Sequence, residues 1–174
     1  DLKPGEIGEV LSKSDLNMKG YWNKPDATKE SIIDGWFYSG DAGYFDEEGY
    51  LFIHDRVKDM IVSGGENIYP AEVENALMSH EEILDAAVVG IPDKKWGETV
   101  KGFVVLSDSS SLDEEQIISY TRTQIAGYKC PRSINFIPEL PRNPSGKILR
   151  RELRDPYWEA VSYTHLRAHE TERN

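Results

Sequence analysis

Beyond residue 57, short apolar runs alternate with helical patterns, and this alternation limits the fold more than any other feature of the sequence. The runs at 60–62, 84–91 and 100–106 are rich in β-branched residues, which is typical of buried strands. A helix is predicted after Pro70, because proline suits the first helical turn and Val73, Ala76 and Leu77 then share one face. The pattern predicts an α+β unit of about a hundred residues, near the usual domain size.

A second helix is predicted farther along the same unit. Ser111 and Glu114 have the spacing of a capping box, and Gly127 suits the end of a helix. Between them, apolar or β-branched residues recur at helical spacing: Ile117, Ile118, Thr121 and Ile125. The remaining predicted elements are a strand at 133–138, a loop over 141–146 and a short helix around 149–153.

The first part of the chain has the pattern of strands and turns. Residues 6–11 are a strand candidate, and residues 22–26 are predicted to form a loop. Apolar runs flank the polar segment 46–49, which ends in glycine and indicates a β-hairpin.

Composition excludes several classes of protein. Of the 174 residues, 39% are hydrophobic and 29% charged, which fits a folded globular protein. The net charge of −11 argues against a nucleic-acid or membrane-surface binder, and no apolar run reaches the ~20 residues of a membrane span. Cys130 is the single cysteine, so neither an internal disulfide nor a cysteine-based zinc site is predicted. We therefore expect a cytoplasmic protein without a metal site of its own.

Both ends of the chain have unusual features. The sequence starts at Asp1 without an initiator methionine, so we expect it to begin inside a longer protein. Residues 161–174 have no strong apolar periodicity and resemble translated sequencing-adapter read-through. We interpret them as a non-native tail and exclude them from functional reasoning.

Three polar segments that contain glycine carry the candidate chemistry. In the first, Asp41 could accept hydrogen bonds from a vicinal diol such as a ribose, or could simply close a turn. In the second, Arg56 could pair with a phosphate or ribose, or belong to a solvated linker. In the third, Lys147 precedes a helix and could approach a developing oxyanion, although most loop lysines are surface residues.

Taken in order, these segments resemble the adenylate-forming superfamily of acyl-CoA synthetases, luciferases and peptide-synthetase adenylation domains. The match runs from about Gly5 to Trp158. The resemblance implies that ATP, with Mg²⁺, and a carboxylate give an acyl adenylate and pyrophosphate, and that a thiol then displaces AMP. It also implies a small carboxyl-terminal lid domain that rotates between the two half-reactions.

The resemblance assigns roles in adenylation to three residues. Asp41 corresponds to the aspartate that holds the ribose hydroxyls of AMP, and Arg56 to its partner arginine. Lys147 corresponds to the lysine that bridges the carboxylate and the α-phosphate. Asp55 stands where many members have glycine, a departure accepted in several branches.

Other residues are assigned to the thioester half-reaction. Lys58 occupies the hinge position, and the loop containing Gly64 and Gly65 resembles the one that lines the pantetheine tunnel. Tyr128 and Lys129 fall near the region that contacts the CoA nucleotide.

We therefore interpret residues 1–57 as the β-rich end of a large AMP-binding amino-terminal domain, 58–160 as the lid and 161–174 as the tail. The predicted function is that of a fragment of an ATP-dependent acyl-CoA synthetase for a fatty or aryl acid, inactive when isolated. Its expected partners are the carboxylic acid, coenzyme A and the missing amino-terminal domain. Two alternatives stay open: an adenylation domain that loads a carrier protein, and a stand-alone, non-catalytic interaction module.

Overall fold

The structure, a computed structural model, describes residues 2–171, with side-chain surroundings for residues 2–160. It forms two compact units, Asp1–Lys58 and Asp59–Asn174. The interpretation of residues 161–174 as a non-native tail concerns residues whose side chains lie outside the described part of the structure. Within residues 2–171, no helix combines the length and apolar character that crossing a bilayer requires.

The first unit is built around one long central strand. Its elements are β1 (Gly8–Ser12), α1 (Pro25–Ser31), β2 (Ile32–Ile33), β3 (Trp36–Phe45) and β4 (Leu51–Arg56). Strand β3 pairs antiparallel with β1, β2 and β4.

The predicted hairpin is confirmed as β3 and β4. Asp46 closes its turn by accepting hydrogen bonds from the backbone N–H groups of Glu48 and Tyr50, and Gly49 has a φ of +85°. The predicted loop at 22–26 is wrong at its end, because Pro25 already occupies the first turn of α1.

The second unit contains a five-stranded sheet and three helices. Its strands are β5 (Ile61–Ser63), β6 (Glu66–Ile68), β7 (Ile83–Asp93), β8 (Gly97–Leu106) and β9 (Ser133–Phe136). They are ordered β6-β5-β8-β7, with β9 parallel to β8. The helices are α2 (Pro70–Met78), α3 (Glu114–Gln124) and α4 (Arg150–Thr171). The predicted α+β class is confirmed.

Helix α3 differs from its prediction at both ends. Its N-cap is Asp113 rather than Ser111: the Asp113 carboxylate accepts from the Gln116 N–H at 2.8 Å, and the Gln116 amide oxygen accepts from the Asp113 N–H at 2.9 Å. The helix ends at Gln124, before Gly127 is reached. The capping box was therefore the right motif placed two residues too early.

Helix α4 is longer than predicted. The short helix expected around 149–153 extends to Thr171 and includes Pro156. A proline in the second turn removes one backbone donor without ending the helix.

The sheet of the second unit is covered on both faces, because neighbouring residues of a strand point to opposite sides. Ala86 and Val88 of β7 belong to the larger core, with Leu77 of α2 and Ile117 of α3. On the other face, Ala87, Val89, Phe103 and Leu140 form a second core against which Leu153 and Tyr157 of α4 pack. This second core fixes the start of α4, and with it the loop that precedes the helix.

Candidate functional site

Asp41 and Arg56 lie opposite each other on the hairpin of the first unit. Their Cα positions are partners in the β3–β4 register, and the Arg56 Nη1 atom lies 2.9 Å from Asp41 Oδ1. The Arg56 side chain is 52% exposed and that of Asp41 is 32% exposed. An exposed ion pair of this kind adds little stability. Because both side chains are exposed, they are accessible to a ligand.

A β-bulge brings these two residues together. From Phe45 to Gly43 the pairing is regular, and each step along β3 is matched by one step along β4. Between Gly43 and Ala42 the register shifts by one residue, so that Ala42 pairs with Asp55. Without the shift, Asp41 would face Asp55, and two carboxylates would repel each other. Asp55 instead accepts a hydrogen bond from the Arg56 backbone N–H at 2.7 Å.

Lys58 is exposed and lies in a short 3₁₀ helix, Val57–Asp59. The first compact unit ends at this residue. The residue assigned to the hinge is thus located where the chain passes from one unit to the next.

Gly64 and Gly65 form the two-residue turn between β5 and β6. Their φ angles are +62° and +89°, as a type I′ hairpin turn requires, and Ser63 pairs with Glu66 below the turn. The backbone of Gly64 lies against Trp96: its N–H donates to the Trp96 carbonyl at 2.9 Å, and a Cβ at Gly64 would lie 2.7 Å from the indole. A Cβ at Gly65 would meet open space.

The contact between Trp96 and this turn was missed by sequence reasoning. The Lys95 amine lies 4.4 Å from the centre of the Trp96 ring, and the Arg132 guanidinium carbon lies 5.0 Å from it. Cation–π contacts of this kind hold the indole beneath the glycine turn. Trp96 and the turn at Gly64 are far apart in the sequence, so no local pattern indicated their contact.

Tyr128 and Lys129 have different surroundings. Tyr128 is 53% exposed, whereas the Lys129 amine donates to both carboxylate oxygens of Glu72, at 2.7 and 2.8 Å. Burial acts to lower the pKa of Lys129, but the hydrogen bond and the charge of Glu72 outweigh it and raise that pKa. Lys129 thus joins α2 to the segment after α3.

Lys147 occupies a tight loop whose ends are paired. Arg142 and Ile148 form an antiparallel bridge, and the Asn143 N–H donates to the Lys147 carbonyl at 2.9 Å. Its side-chain amine has no hydrogen bond or ion pair to any other residue whose side chain the structure describes. The loop fixes the backbone of Lys147 and leaves its charge available.

The arginines around Lys147 each contact a carboxylate. The N···O distances are 2.6 Å for Arg142–Asp85, 2.6 Å for Arg150–Glu74, 2.8 Å for Arg151–Asp155 and 3.7 Å for Arg154–Asp155. Lys147 is therefore the one cation between residues 142 and 154 without a carboxylate partner in the part of the chain with described side chains.

The two sets of candidate residues belong to different units. Asp41 and Arg56 lie in the first unit, and the loops of Gly64–Gly65, Tyr128–Lys129 and Lys147 lie in the second. Among the described residues, no group of three or more His, Cys, Asp or Glu side chains is placed to hold a metal ion.

Comparison with known proteins finds similarity to AMP-binding enzymes. Residues 72–147 match the family model of the AMP-binding enzyme C-terminal domain. The chain is 49% identical over 158 residues to a fatty acid–[acyl-carrier-protein] ligase of Streptomyces coeruleorubidus, which covers 91% of the chain and 30% of that protein. It is also 49% identical over 150 residues to a long-chain-fatty-acid–CoA ligase of Mycobacterium tuberculosis, covering 86% of the chain and 30% of the relative.

Solved structures give the same result. ATP-bound MatB from Rhodopseudomonas palustris matches with a TM-score of 0.83 and 37% identity, covering 90% of this chain and 31% of MatB. The o-succinylbenzoate CoA synthetase of Bacillus subtilis, in complex with the acyl-adenylate intermediate OSB-AMP, matches with a TM-score of 0.80 and 42% identity, covering 87% and 31%. The chain thus spans about 30% of the length of the relatives it matches, and its residues 72–147 are similar to the C-terminal domain of AMP-binding enzymes.

Proposed function

We propose that this chain is part of an acid–thiol ligase that activates a carboxylic acid as acyl-AMP and transfers the acyl group to coenzyme A. One observation carries the proposal: the amine of Lys147 has no partner among the described side chains, although every arginine near it contacts a carboxylate. A cation with a fixed backbone and a free charge suits the stabilisation of charge that develops during a reaction.

In the first half-reaction, a carboxylate oxygen of the acid forms a bond to the α-phosphorus of ATP, and the bond from that phosphorus to the pyrophosphate oxygen breaks. Asp41 accepts hydrogen bonds from the ribose hydroxyls, and the free N–H groups of Arg56 donate to the same nucleotide. The Lys147 amine contacts both the acid and the α-phosphate. Its contribution is to orient the reactants and to stabilise negative charge.

In the second half-reaction, the thiol sulfur forms a bond to the acyl carbon, the bond from that carbon to the AMP oxygen breaks, and the thiol proton passes to water. The turn at Gly64 and Gly65 borders the path of the thiol, since its backbone offers no side chain to obstruct close approach. Tyr128 is exposed beside the nucleotide end of coenzyme A. For Lys129 to contact a CoA phosphate, its amine must first leave Glu72.

The proposed ligase uses ATP and coenzyme A as substrates. Magnesium accompanies ATP and shields the phosphate charge, and none of the described residues is assigned to it. Residues 1–57 are proposed as the end of the large amino-terminal domain and 58–160 as the lid, in a cytoplasmic enzyme. The acid is fatty or aryl, a proposal supported by relatives of both kinds, such as the feruloyl-CoA synthase of an Amycolatopsis species, 50% identical over 153 residues.

A carrier protein is a second candidate acceptor of the acyl group. It is supported by the 49% identity to the Streptomyces coeruleorubidus ligase, whose name gives an acyl carrier protein as acceptor. Offering coenzyme A and a carrier protein bearing phosphopantetheine side by side distinguishes the two acceptors.

The proposal is tested in a hybrid ligase, in which this chain replaces the segment that it matches in the Bacillus subtilis o-succinylbenzoate CoA synthetase. Acid-dependent exchange between ATP and pyrophosphate measures adenylation. Thioester formation from supplied acyl adenylate measures the second half-reaction. The 174-residue chain alone is expected to catalyse neither, since it spans about 30% of its relatives.

Lys147→Ala is expected to slow adenylation by about 10²- to 10³-fold, the usual effect of removing one charge-stabilising donor. Thioester formation from supplied acyl adenylate should be largely retained. Lys58→Pro should have the opposite effect, because a fixed φ at the unit boundary obstructs rotation of the lid. Lys29→Ala, at an exposed lysine of α1, is the matched control. Equal losses of both half-reactions in Lys147→Ala would contradict the role proposed for this lysine.

A further inference from the structure

The Asn143 side chain organises the loop that carries Lys147. Its Oδ1 atom accepts three hydrogen bonds: from the Ser145 backbone N–H at 3.0 Å, the Ser145 hydroxyl at 2.8 Å and the Lys147 backbone N–H at 2.9 Å. The backbone of Asn143 adds two more, donating to the Lys147 carbonyl and accepting from the Gly146 N–H, both at 2.9 Å. Asn143 thus binds both backbone polar groups of Lys147.

Arg142 connects this loop to the sheet. Its Nη1 atom donates to the Gly146 carbonyl at 2.7 Å, and its Nη2 atom donates to the Asp85 carboxylate on β7 at 2.6 Å. One guanidinium therefore contacts the residue before Lys147 on one side and strand β7 on the other. Its planar geometry fixes both contacts together, as a lysine at this position could not.

From these contacts we infer that Asn143 and the Arg142–Asp85 pair are positioning residues, which set the place and direction of Lys147 for adenylation. The inference rests on the proposed function of Lys147. Asn143 fixes the peptide groups on both sides of the lysine Cα, and Arg142 fixes that unit relative to β7.

The arrangement explains how an exposed loop keeps a defined conformation. Gly146 has a φ of +82°, and the loop residues other than Asn143 offer no side chain that bonds the Lys147 backbone. Without the Asn143 oxygen, three donors would turn to water, and the lysine would sample many directions. A displacement of about 1 Å at a reacting group can cost about a hundredfold in rate, so loss of this order matters for catalysis.

The inference is tested first on the 174-residue chain by amide hydrogen exchange. Asn143→Ala should lower the protection of the Lys147 N–H by about tenfold, the measure of losing one net hydrogen bond of ~1.4 kcal/mol, while the amides of β8 keep theirs. Asn143→Asp retains the oxygen acceptor and should restore protection. Asn75→Ala, at an exposed asparagine of α2, is the matched control.

The second test uses the hybrid ligase. Asn143→Ala and Asp85→Ala should each lower kcat for adenylation by about tenfold to a hundredfold, with KM for ATP little changed, because the lysine is misplaced and not removed. Asn143→Asp should recover most of the activity. Asp155→Ala removes the carboxylate shared by the exposed Arg151 and Arg154 and should leave adenylation unchanged.

The results separate the two proposals. If Lys147→Ala impairs adenylation while Asn143→Ala and Asp85→Ala behave like their controls, the positioning role is refuted and the function of Lys147 stands. If Asn143→Asp is as impaired as Asn143→Ala, the acceptor oxygen is not what matters, and the inference again fails. If Lys147→Ala keeps full adenylation, the proposed function is refuted, and the positioning role falls with it.

Discussion

Glu74 is a polar residue at which one substitution should strongly affect the stability of the second unit. Its carboxylate accepts from Arg150 Nη2 at 2.8 and 2.6 Å, and Oε1 also accepts from the Val88 N–H at 2.8 Å. Strand β7 lies at the edge of the sheet, so alternate N–H groups there have no strand partner. Glu74 therefore connects α2, the edge of the sheet and the start of α4.

The cost of Glu74→Ala follows from these contacts. Leaving the Val88 N–H without its acceptor costs about 1–2 kcal/mol. Breaking a fully buried ion pair costs about 3–5 kcal/mol and an exposed one less than about 1 kcal/mol. The Glu74 and Arg150 side chains are 13% and 25% exposed, between these limits, so about 2 kcal/mol is expected for the pair. The total is a loss of about 3 kcal/mol in the free energy of unfolding.

Native-state hydrogen exchange of the β8 amides in increasing urea measures this loss, because it reports on the second unit separately. Glu74→Gln keeps one acceptor oxygen and should lose about half as much. Asp155→Ala, which removes the carboxylate shared by the exposed Arg151 and Arg154, should change stability by less than about 0.5 kcal/mol. A Glu74→Ala variant no less stable than Asp155→Ala would refute the reasoning.

Two further predictions concern stability. The amine of Lys101 is buried and donates to Ser133 Oγ at 3.1 Å; burial lowers its pKa, and the charge of Glu114 only partly opposes this. The unfolded chain therefore binds more protons than the folded one as pH rises toward 10.5, so wild type should gain stability relative to Lys101→Met over that range. Urea titrations at several pH values measure this difference. A stability difference between the two proteins that stays constant or falls as pH rises would contradict the prediction. Gly64→Ala should destabilise more than Gly65→Ala by about 1 kcal/mol or more in thermal unfolding, because both have positive φ but only Gly64 faces an indole; equal losses would show that the contact with Trp96 is unimportant.

Elements defined by local chemistry were predictable from the sequence. The turn at 46–49 contains its own acceptor, Asp46, and its own glycine, so the hairpin needed no distant contact. The start of α3 was ambiguous, since both Ser111–Glu114 and Asp113–Gln116 have capping-box spacing. The structure uses the second pair, and the Ser110 hydroxyl accepts from the Leu112 N–H, which keeps the preceding residues in a turn.

Features that depend on distant residues were not predictable. The length of α4 was underestimated because its packing partners lie elsewhere in the chain: Tyr157 packs on Phe103, and the Trp158 indole N–H donates to the Gly90 carbonyl at 3.1 Å. Phe103 and Gly90 both lie outside residues 149–160, so the local sequence could not indicate these contacts.

The same division holds for the candidate site. Resemblance to a family indicated that Asp41 and Arg56 belong to the candidate site. Their direct pairing, however, depends on a β-bulge that no residue pattern predicted. The commitment of Lys129 to Glu72 likewise joins residues distant in the sequence. The residue types were foreseeable from the sequence, and the contacts among them were not.

The pairing of every arginine around Lys147 affects how this loop could be transplanted into another protein. A graft of residues 141–155 would bring its own counter-ion for Arg151, since Asp155 lies within it. The counter-ions for Arg142 and Arg150 are on β7 and α2, so a recipient without acids at the places of Asp85 and Glu74 would receive two unneutralised guanidiniums. A phosphate could then bind to any of three cations without a counter-ion, Arg142, Lys147 or Arg150, instead of to Lys147 alone. The smallest portable unit is therefore the loop together with those two distant acids.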